Sequence, residues 1–447
     1  MLWRLAKRFQ FAADRFIPSS FVFCIVLTLI VFLLGIILTG AGPFDLVKYW
    51  YGGLWSIMVF TLQIILVLVF ASAAARAPQF EKMLSKLAKL PKSPAIATAM
   101  LFIFTAAVGW VNWAFGVILA PIFAMQIVKN VKGCHFPLLI ATSYSAMILV
   151  QPICPSTSAV TAVATKGHFL ESIVGVIPAS QTAFNPVNLV IVLSLVVLTC
   201  IISALMHPSP EEAVEYVEDR KNEAAATELI TELKDKSLAY RFNNSRIILG
   251  LVTLAELSYL IYHFYTKGPI FDFYIVILSF MALAMLLYKT PDRFMIAIQD
   301  SITTAAPIVI QYPFYGGIMG MMASSGLSAI MATKLIEIAS PVTLPFWSYI
   351  SAAVVNIFVP SQGGQWVIQG PILMKAAQAL NVDYGLIVSA FMLGDEATNL
   401  INPLFVLPAL ALVNLEIKHI WGFMAFICLI WMIVTSIGLL VLPGILM

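Results

Sequence analysis

Seven apolar runs, near residues 19–39, 54–75, 187–206, 246–265, 273–289, 296–322 and 419–441, are each long enough for a helix to cross the hydrocarbon of a bilayer, some with tilt or thinning. Lipid offers a peptide group no hydrogen-bond partner, so each run has to satisfy its backbone within itself, which a helix does. Composition excludes the soluble alternative. With 61% hydrophobic and only 11% charged residues in 447, and a mean hydropathy of +0.96, there are too few polar groups to cover a water-facing surface. The expected class is an all-α polytopic membrane protein, with the lipid bilayer as its first partner. A net charge of +3 leaves no basic face for nucleic acid. Cys24, Cys134, Cys154, Cys200 and Cys428 stand singly, with no C-x-x-C and no adjacent His set, which argues against a disulfide framework or a metal site. His135, His168, His207, His263 and His419 mostly fall near span ends and read as interfacial.

Two further stretches, 94–165 and 343–414, are apolar but interrupted. The second contains "NIFVPSQGGQWVIQGP" at 356–371, where Pro, Gly and amide side chains stand at membrane depth. Irregular backbone survives there only where protein or a water-filled cavity satisfies it. Counting 94–130 and 343–380 as re-entrant hairpins, with a cytoplasmic N-terminus, puts only Lys48, Lys166, Lys267, Lys334 and Lys375 of the 25 Lys and Arg outside. That asymmetry is what the positive-inside rule requires, and it would be lost if either hairpin crossed. The chain then divides into scaffold helices with an interfacial segment (1–93), a first hairpin and broken helix (94–165) and a scaffold helix (166–206). A cytoplasmic polar linker (207–245), scaffold helices (246–342), a second hairpin and broken helix (343–414) and a last scaffold helix (415–447) complete it.

The interrupted stretches match each other. Val-Asn opens the break at Asn112 and again at Asn356, and a helix fails at Pro152 and again at Pro403. With the charge-derived topology, the first hairpin enters from inside and the second from outside. The expected architecture is therefore two inverted repeats with re-entrant hairpins and broken helices, an arrangement found in secondary transporters with the site where the breaks meet. Gly316 and Gly320, at G-x-x-x-G spacing, read instead as a helix-packing pair.

The expected turn of the second hairpin has Pro360 ending the descending arm, Gly363 and Gly364 forming the turn, and a new helix rising from Trp366 with free N–H groups. Substrate contacts are assigned to Asn112, Gln151, Ser156, Thr157, Asn356, Ser361, Gln362, Gly363, Gly364, Gln365, Asn399 and Asn402. No Arg lies in either stretch, so helix starts and neutral side chains would hold the anion, which favours one carboxylate over two. A dicarboxylate or other small organic anion, carried by symport or exchange, is the alternative, and an anion channel a weaker one. No Walker sequence is present, so uphill transport of an anion calls for an ion gradient or exchange. Asp395 and Glu396, about 16 Å into their helix and so near the midplane, are the candidates for coupling to Na+ or H+; Glu256 has weaker standing. Neither H-E-x-x-H nor G-x-S-x-G occurs, and no enzyme activity or cofactor is expected.

"VNWAFG", "VIQYPFYGGIM", "SSGLSAI" and above all "VPSQGGQWVIQGP" closely resemble the bacterial short-chain fatty acid transporter family, associated with acetoacetate and butyrate uptake. The resemblance covers nearly the whole chain. Through a wider superfamily of dicarboxylate and citrate carriers it implies an elevator-type division into a scaffold and a moving part with two hairpins. It also implies a bacterial inner membrane location and, as such carriers often do, a homodimer. The chain departs from the family pattern at 151–158, Gln365 and Asp395–Glu396, so the resemblance bears on fold more closely than on substrate.

Overall fold

Helices form where lipid-length apolar runs leave the backbone no other partner. A computed structural model describes residues 20–208, 213–214, 237–357, 361–402, 410, 413, 415 and 417–446. The basic N-terminal segment, most of the polar linker, Pro360 and Pro403 lie outside the described residues. Within them the regular structure is helical, with no strand. Ser20–Thr39, Met58–Ala75, Pro186–Leu205, Arg246–Lys267, Phe273–Tyr288 and Trp421–Val441 follow the apolar runs closely. Their ends are set by local chemistry. Asn185, Ser245 and Asp272 accept hydrogen bonds from the first-turn N–H groups of Val187, Ile248 and Ile275, and Gly268, at φ +74°, stops the helix that begins at Arg246. Among the described residues six helices are long and apolar enough to cross a membrane; Ile308–Ser324 with Leu327–Ile338, bent by 77°, make a seventh if the pair is one span.

The run 296–322 is not one helix. Pro291–Ile302 ends in a 3-10 turn at Thr303–Ala305 and Ala306–Ser324 starts afresh, because Pro307 has no N–H to continue the ladder. A further helix, Pro43–Ser56, was hidden by its lower hydropathy. It is the partner of the G-x-x-x-G pair. A Cβ on Gly53 would sit 2.3 Å from Gly316 O, and one on Gly320 2.4 Å from Tyr49 O, so the two helices touch backbone to backbone.

Both interrupted stretches begin with an antiparallel helical hairpin. Pro94–Val111 and Trp113–Val128 reverse at Asn112 alone, and Phe104 meets Phe123 across the arms with ring centroids 4.6 Å apart. Leu344–Asn356 and Gln362–Leu380 are tied by Gln365 Nε2 donating to Ala352 O (2.9 Å) and Gln369 Nε2 to Ser351 Oγ (2.8 Å). A broken helix follows each hairpin: Phe136–Leu149, a 3-10 turn at Gln151–Ile153 and Ser158–Ala164 in the first half, Tyr384–Asn399 in the second. Every residue of Phe136–Leu149 and of Gly385–Asn399 is buried, whereas Arg246–Lys267 buries only Leu249, Thr253, Glu256, Leu260 and His263. The broken helices are thus the centre and the uninterrupted ones include the periphery.

One piece of the linker is clasped to the centre. Val214 N–H donates to His135 Nδ1 (3.0 Å), Phe136 N–H to Val214 O (2.9 Å), and His135 N–H to His207 Nε2 (3.0 Å). Burial, with His207 beside it, pushes the His135 imidazole down from 6.5 to about 4.

Candidate functional site

Asn112 is extended (φ −166°, ψ 139°) and fully buried, and its side chain closes the first hairpin. Its Oδ1 accepts from Ala114 N–H (2.9 Å), capping the ascending arm, while Nδ2 donates to Ser156 Oγ (3.2 Å). Ser156 Oγ in turn donates to Val111 O (2.7 Å). Gln151 spends its amide on the backbone, donating to Gly109 O and Met147 O, both at 3.0 Å. Thr157 Oγ1 donates to Cys154 O (3.0 Å) and lies 3.8 Å from Met392 Sδ, which brings the first break against the second broken helix. These residues carry polar groups that the interrupted backbone needs in order to be buried at all.

Asn356 does the same work in the second half. Its Nδ2 lies within bonding distance of Asp395 O (2.7 Å), Asn399 Oδ1 (2.8 Å) and Thr398 Oγ1 (3.0 Å). Asn399 Nδ2 faces Glu396 Oε2 (3.0 Å) and Asp395 Oδ2 (3.3 Å), and Tyr144 from the first half donates its hydroxyl to Asn399 O (2.8 Å). Asn402 is buried just beyond, its N–H on Thr398 O (3.0 Å). Asp395 is fully buried and Glu396 nearly so, and no Lys or Arg among the described residues forms an ion pair with either. Both oxygens of Glu396 have donors; Asp395 Oδ1 has none among the described residues, and neither do Asn356 Oδ1 or Gln365 Oε1.

The tip of the second hairpin differs from expectation. The helix starts at Gln362, not Trp366, with Ser361 as its cap, and Gly363 and Gly364 lie in its first turn rather than in the reversal. Neither has a positive φ. Their missing side chains serve close approach instead: a Cβ on Gly363 would lie 2.9 Å from Tyr312 Oη, 3.2 Å from Phe60 Cζ and 3.3 Å from Ser158 Cβ, and one on Gly364 2.4 Å from Tyr315 Cδ2. Here the halves join. Gln362 Oε1 accepts from Ala159 N–H (3.0 Å) at the start of the short helix of the first half, and Gln362 Nε2 donates to Glu396 Oε1 (3.1 Å). Of the expected site residues, Ser156, Thr157, Asn356, Ser361, Gln362, Gly363, Gly364, Asn399, Asp395 and Glu396 belong to or border this junction. Gln151 and Gln365 act mainly as ties within their halves.

The arrangement is a buried polar seam between two hairpins and two broken helices, and its lineage follows from sequence comparison. The profile of a family described as "Short chain fatty acid transporter" matches residues 1–442. The chain belongs to the short-chain fatty acid transporter family. A protein of Escherichia coli (strain K12), provisionally named a short-chain fatty acid transporter, is 32% identical over 440 residues, covering 98% of this chain and 99% of that one. One from Haemophilus influenzae (strain Rd), with the same name, is 32% identical over 431 residues, 95% and 96% of the two chains. The crystal structure of the YdaH transporter of Alcanivorax borkumensis, described as having an unusual topology, matches with a TM-score of 0.61 at 16% identity over 96% of this chain and 99% of that one, a likeness of fold. The transporter is a multi-pass membrane protein.

Sequence reasoning missed the aromatic residues against which the hairpin tip rests: Phe60, Tyr312 and Tyr315 of the transporter, and Tyr144 behind Asn399. A tyrosine hydroxyl inside an apolar run has to find a polar partner, and that signal marks Tyr144, Tyr312 and Tyr315 without saying where the partner is. Phe60, one apolar residue in an apolar run, gave none.

Proposed function

We propose that the transporter is a secondary active carrier of short-chain monocarboxylates, of the size of butyrate or acetoacetate, which bind at the seam where Ser158–Ala159, Ser361–Gln362 and Glu396 meet. The observation that carries this reading is the Gln362 bridge. One amide oxygen occupies the Ala159 N–H of one half while its nitrogen holds a carboxyl of the other, 203 and 34 residues away. A substrate carboxylate presents the same acceptor to Ala159 N–H and exchanges with Gln362 Oε1, with the hydroxyls of Ser158, Ser361 and Ser156 as further donors. The single anionic group fits a seam without Arg.

Coupling to a cation rests on Asp395 and Glu396. Bringing an anion into a cell that is negative inside costs about 2.3 kcal/mol per charge per 100 mV, and two buried carboxyls without a basic partner add to that charge. A hard cation suits carboxylate and amide oxygens. Asp395 Oδ1, Asn356 Oδ1 and Gln365 Oε1, buried acceptors without donors among the described residues, are the groups that would hold Na+, while H+ would sit on the carboxyls themselves. The donor-poor oxygens favour Na+. Bound there, it neutralises the pair before the anion moves.

Two inverted repeats supply the movement in this reading. Asn112 reaches 44 residues ahead to Ser156, and Asn356 reaches 43 ahead to Asn399, so each hairpin is locked to its broken helix by an asparagine at the same spacing. Each half moves as a unit, and the pair slides elevator-fashion past Met58–Ala75 and Ala306–Ser324. The test is uptake by proteoliposomes of labelled butyrate, acetoacetate and succinate under inward Na+ or H+ gradients. Butyrate or acetoacetate should be concentrated only with a cation gradient, Na+ giving the larger effect. Preferential uptake of succinate would overturn the monocarboxylate assignment, and accumulation indifferent to both gradients would overturn the coupling.

A further inference from the structure

We infer that Phe60, with Tyr312 beside it, is the wall that limits the length of the acyl chain the transporter accepts, an inference that rests on the binding seam proposed above. Four elements converge at one point. Phe60 Cζ, Tyr312 Oη and Ser158 Cβ all lie within 3.3 Å of where a Gly363 side chain would begin, one residue from Gln362 and from Ala159. Phe60 comes from Met58–Ala75 and Tyr312 from Ala306–Ser324, outside both hairpins and both broken helices. Their rings stack at 6.1 Å with an interplanar angle of 25°. Ser158 and Ser361 stay partly exposed among buried neighbours, so the point is open to solvent on its polar side.

The chemistry of the seam divides there. Toward the centre lie the polar groups of Gln362, Glu396, Asn399 and Ser156; toward Phe60 and Tyr312 lies aromatic carbon. A short-chain acid has the same division, one carboxylate and a few methylenes, and small-ligand sites pair convergent polar groups with an apolar wall in this way. With its carboxylate at Ala159 N–H, the acid directs its chain to the rings. Phe60 is a firm stop. It is 7% exposed and wedged edge-on between Phe169 (5.9 Å, 78°) and Phe273 (5.7 Å, 80°), so it has nowhere to retreat. Tyr312 has a second role as a positioning residue, since its hydroxyl shares a hydrogen bond with Ser361 Oγ (2.9 Å) and so holds the cap of the hairpin helix against the wall.

Shortening Phe60 should extend the slot by the depth of the ring. Each additional methylene accommodated is worth about fourfold in selectivity, about 0.8 kcal/mol of apolar burial. The experiment compares uptake of labelled acetate, butyrate, hexanoate and octanoate by wild type, Phe60→Ala, Phe60→Leu and Tyr312→Phe in proteoliposomes, with melting temperature as a check on folding. The hexanoate-to-butyrate ratio of kcat/KM should rise on the order of tenfold in Phe60→Ala, from two methylenes, and by less in the same direction in Phe60→Leu. Tyr312→Phe should slow all acids alike and leave the ratio unchanged. Phe60→Leu, which keeps a branched apolar side chain, carries the test if Phe60→Ala does not fold. An unchanged ratio in a folded Phe60 variant overturns the wall. A wild type that moves none of the four acids overturns the underlying seam assignment, a result distinct from an altered or unaltered ratio.

Discussion

Replacing Gly364 by Ala tests how tightly the second hairpin must dock on the surrounding helices. The new methyl would stand 2.4 Å from Tyr315 Cδ2 and 2.5 Å from Cε2, where carbon atoms normally sit about 3.5–4.0 Å apart, so something has to yield by roughly 1 Å. Tyr315 is poorly placed to do so. It is 1% exposed, its hydroxyl donates to Gln311 Oε1 (3.0 Å), and its ring lies against Tyr312 (5.8 Å). Either the ring turns and loses that hydrogen bond, or the hairpin helix backs away and pulls Gln362 from Ala159. Overpacking of this kind costs about 1–3 kcal/mol. Applied to the docked arrangement alone, that corresponds to a roughly 5- to 150-fold fall in its population relative to the undocked one. Initial-rate uptake in proteoliposomes should therefore drop by at least several-fold while the protein still reaches the membrane. Adding Tyr315→Leu makes room for the methyl and should restore much of the rate. Wild-type uptake and an unchanged melting temperature in Gly364→Ala would refute the close-docking argument, as would failure of the double variant to recover alongside normal folding.

Asp395→Asn keeps the shape and removes the charge, so gradient-driven accumulation should fail while exchange between equal substrate pools persists; intact accumulation would shift the coupling role to Glu396. The His135 clasp should weaken in acid. Because its pKa falls from 6.5 to about 4 in the folded chain, the released form takes up a proton first, so the clasp is fully favoured above about pH 6.5 and progressively lost as pH drops toward 4. Protease cleavage within the linker should rise over that interval, and His135→Asn, which can accept from Val214 N–H at any pH, should flatten the profile; a wild-type profile already flat would refute it. With the native cysteines removed, a cysteine at Lys267 should react with an impermeant external reagent and one at Ser209, outside the described residues, should not. Reversed labelling would overturn the orientation taken from the Lys and Arg distribution.

What the sequence settled by itself was the solvent and the places where the helix could not continue. The spans ending at Leu205, Lys267, Tyr288 and Val441 were legible to within a few residues, because hydrocarbon tolerates no unpaired backbone and twenty apolar residues in a row have one way to comply. Asn112 and Asn356 were legible for the complementary reason, as amides in an apolar run that some interrupted backbone must be using. Less was legible where a helix is short or only moderately apolar. Pro43–Ser56 and the break at Thr303–Ala305 escaped, since their signal depends on which neighbour they pack against. The tertiary structure alone decided which polar group meets which. Nothing local to Gln362 names Ala159 or Glu396, nothing local to Gly363 names Phe60, and the glycines assigned to a turn proved to be gaps into which rings fit. Hydropathy records what a residue must be shielded from, whereas a partner 203 residues away is fixed only when two helices are brought together and every buried donor and acceptor has to be satisfied at once.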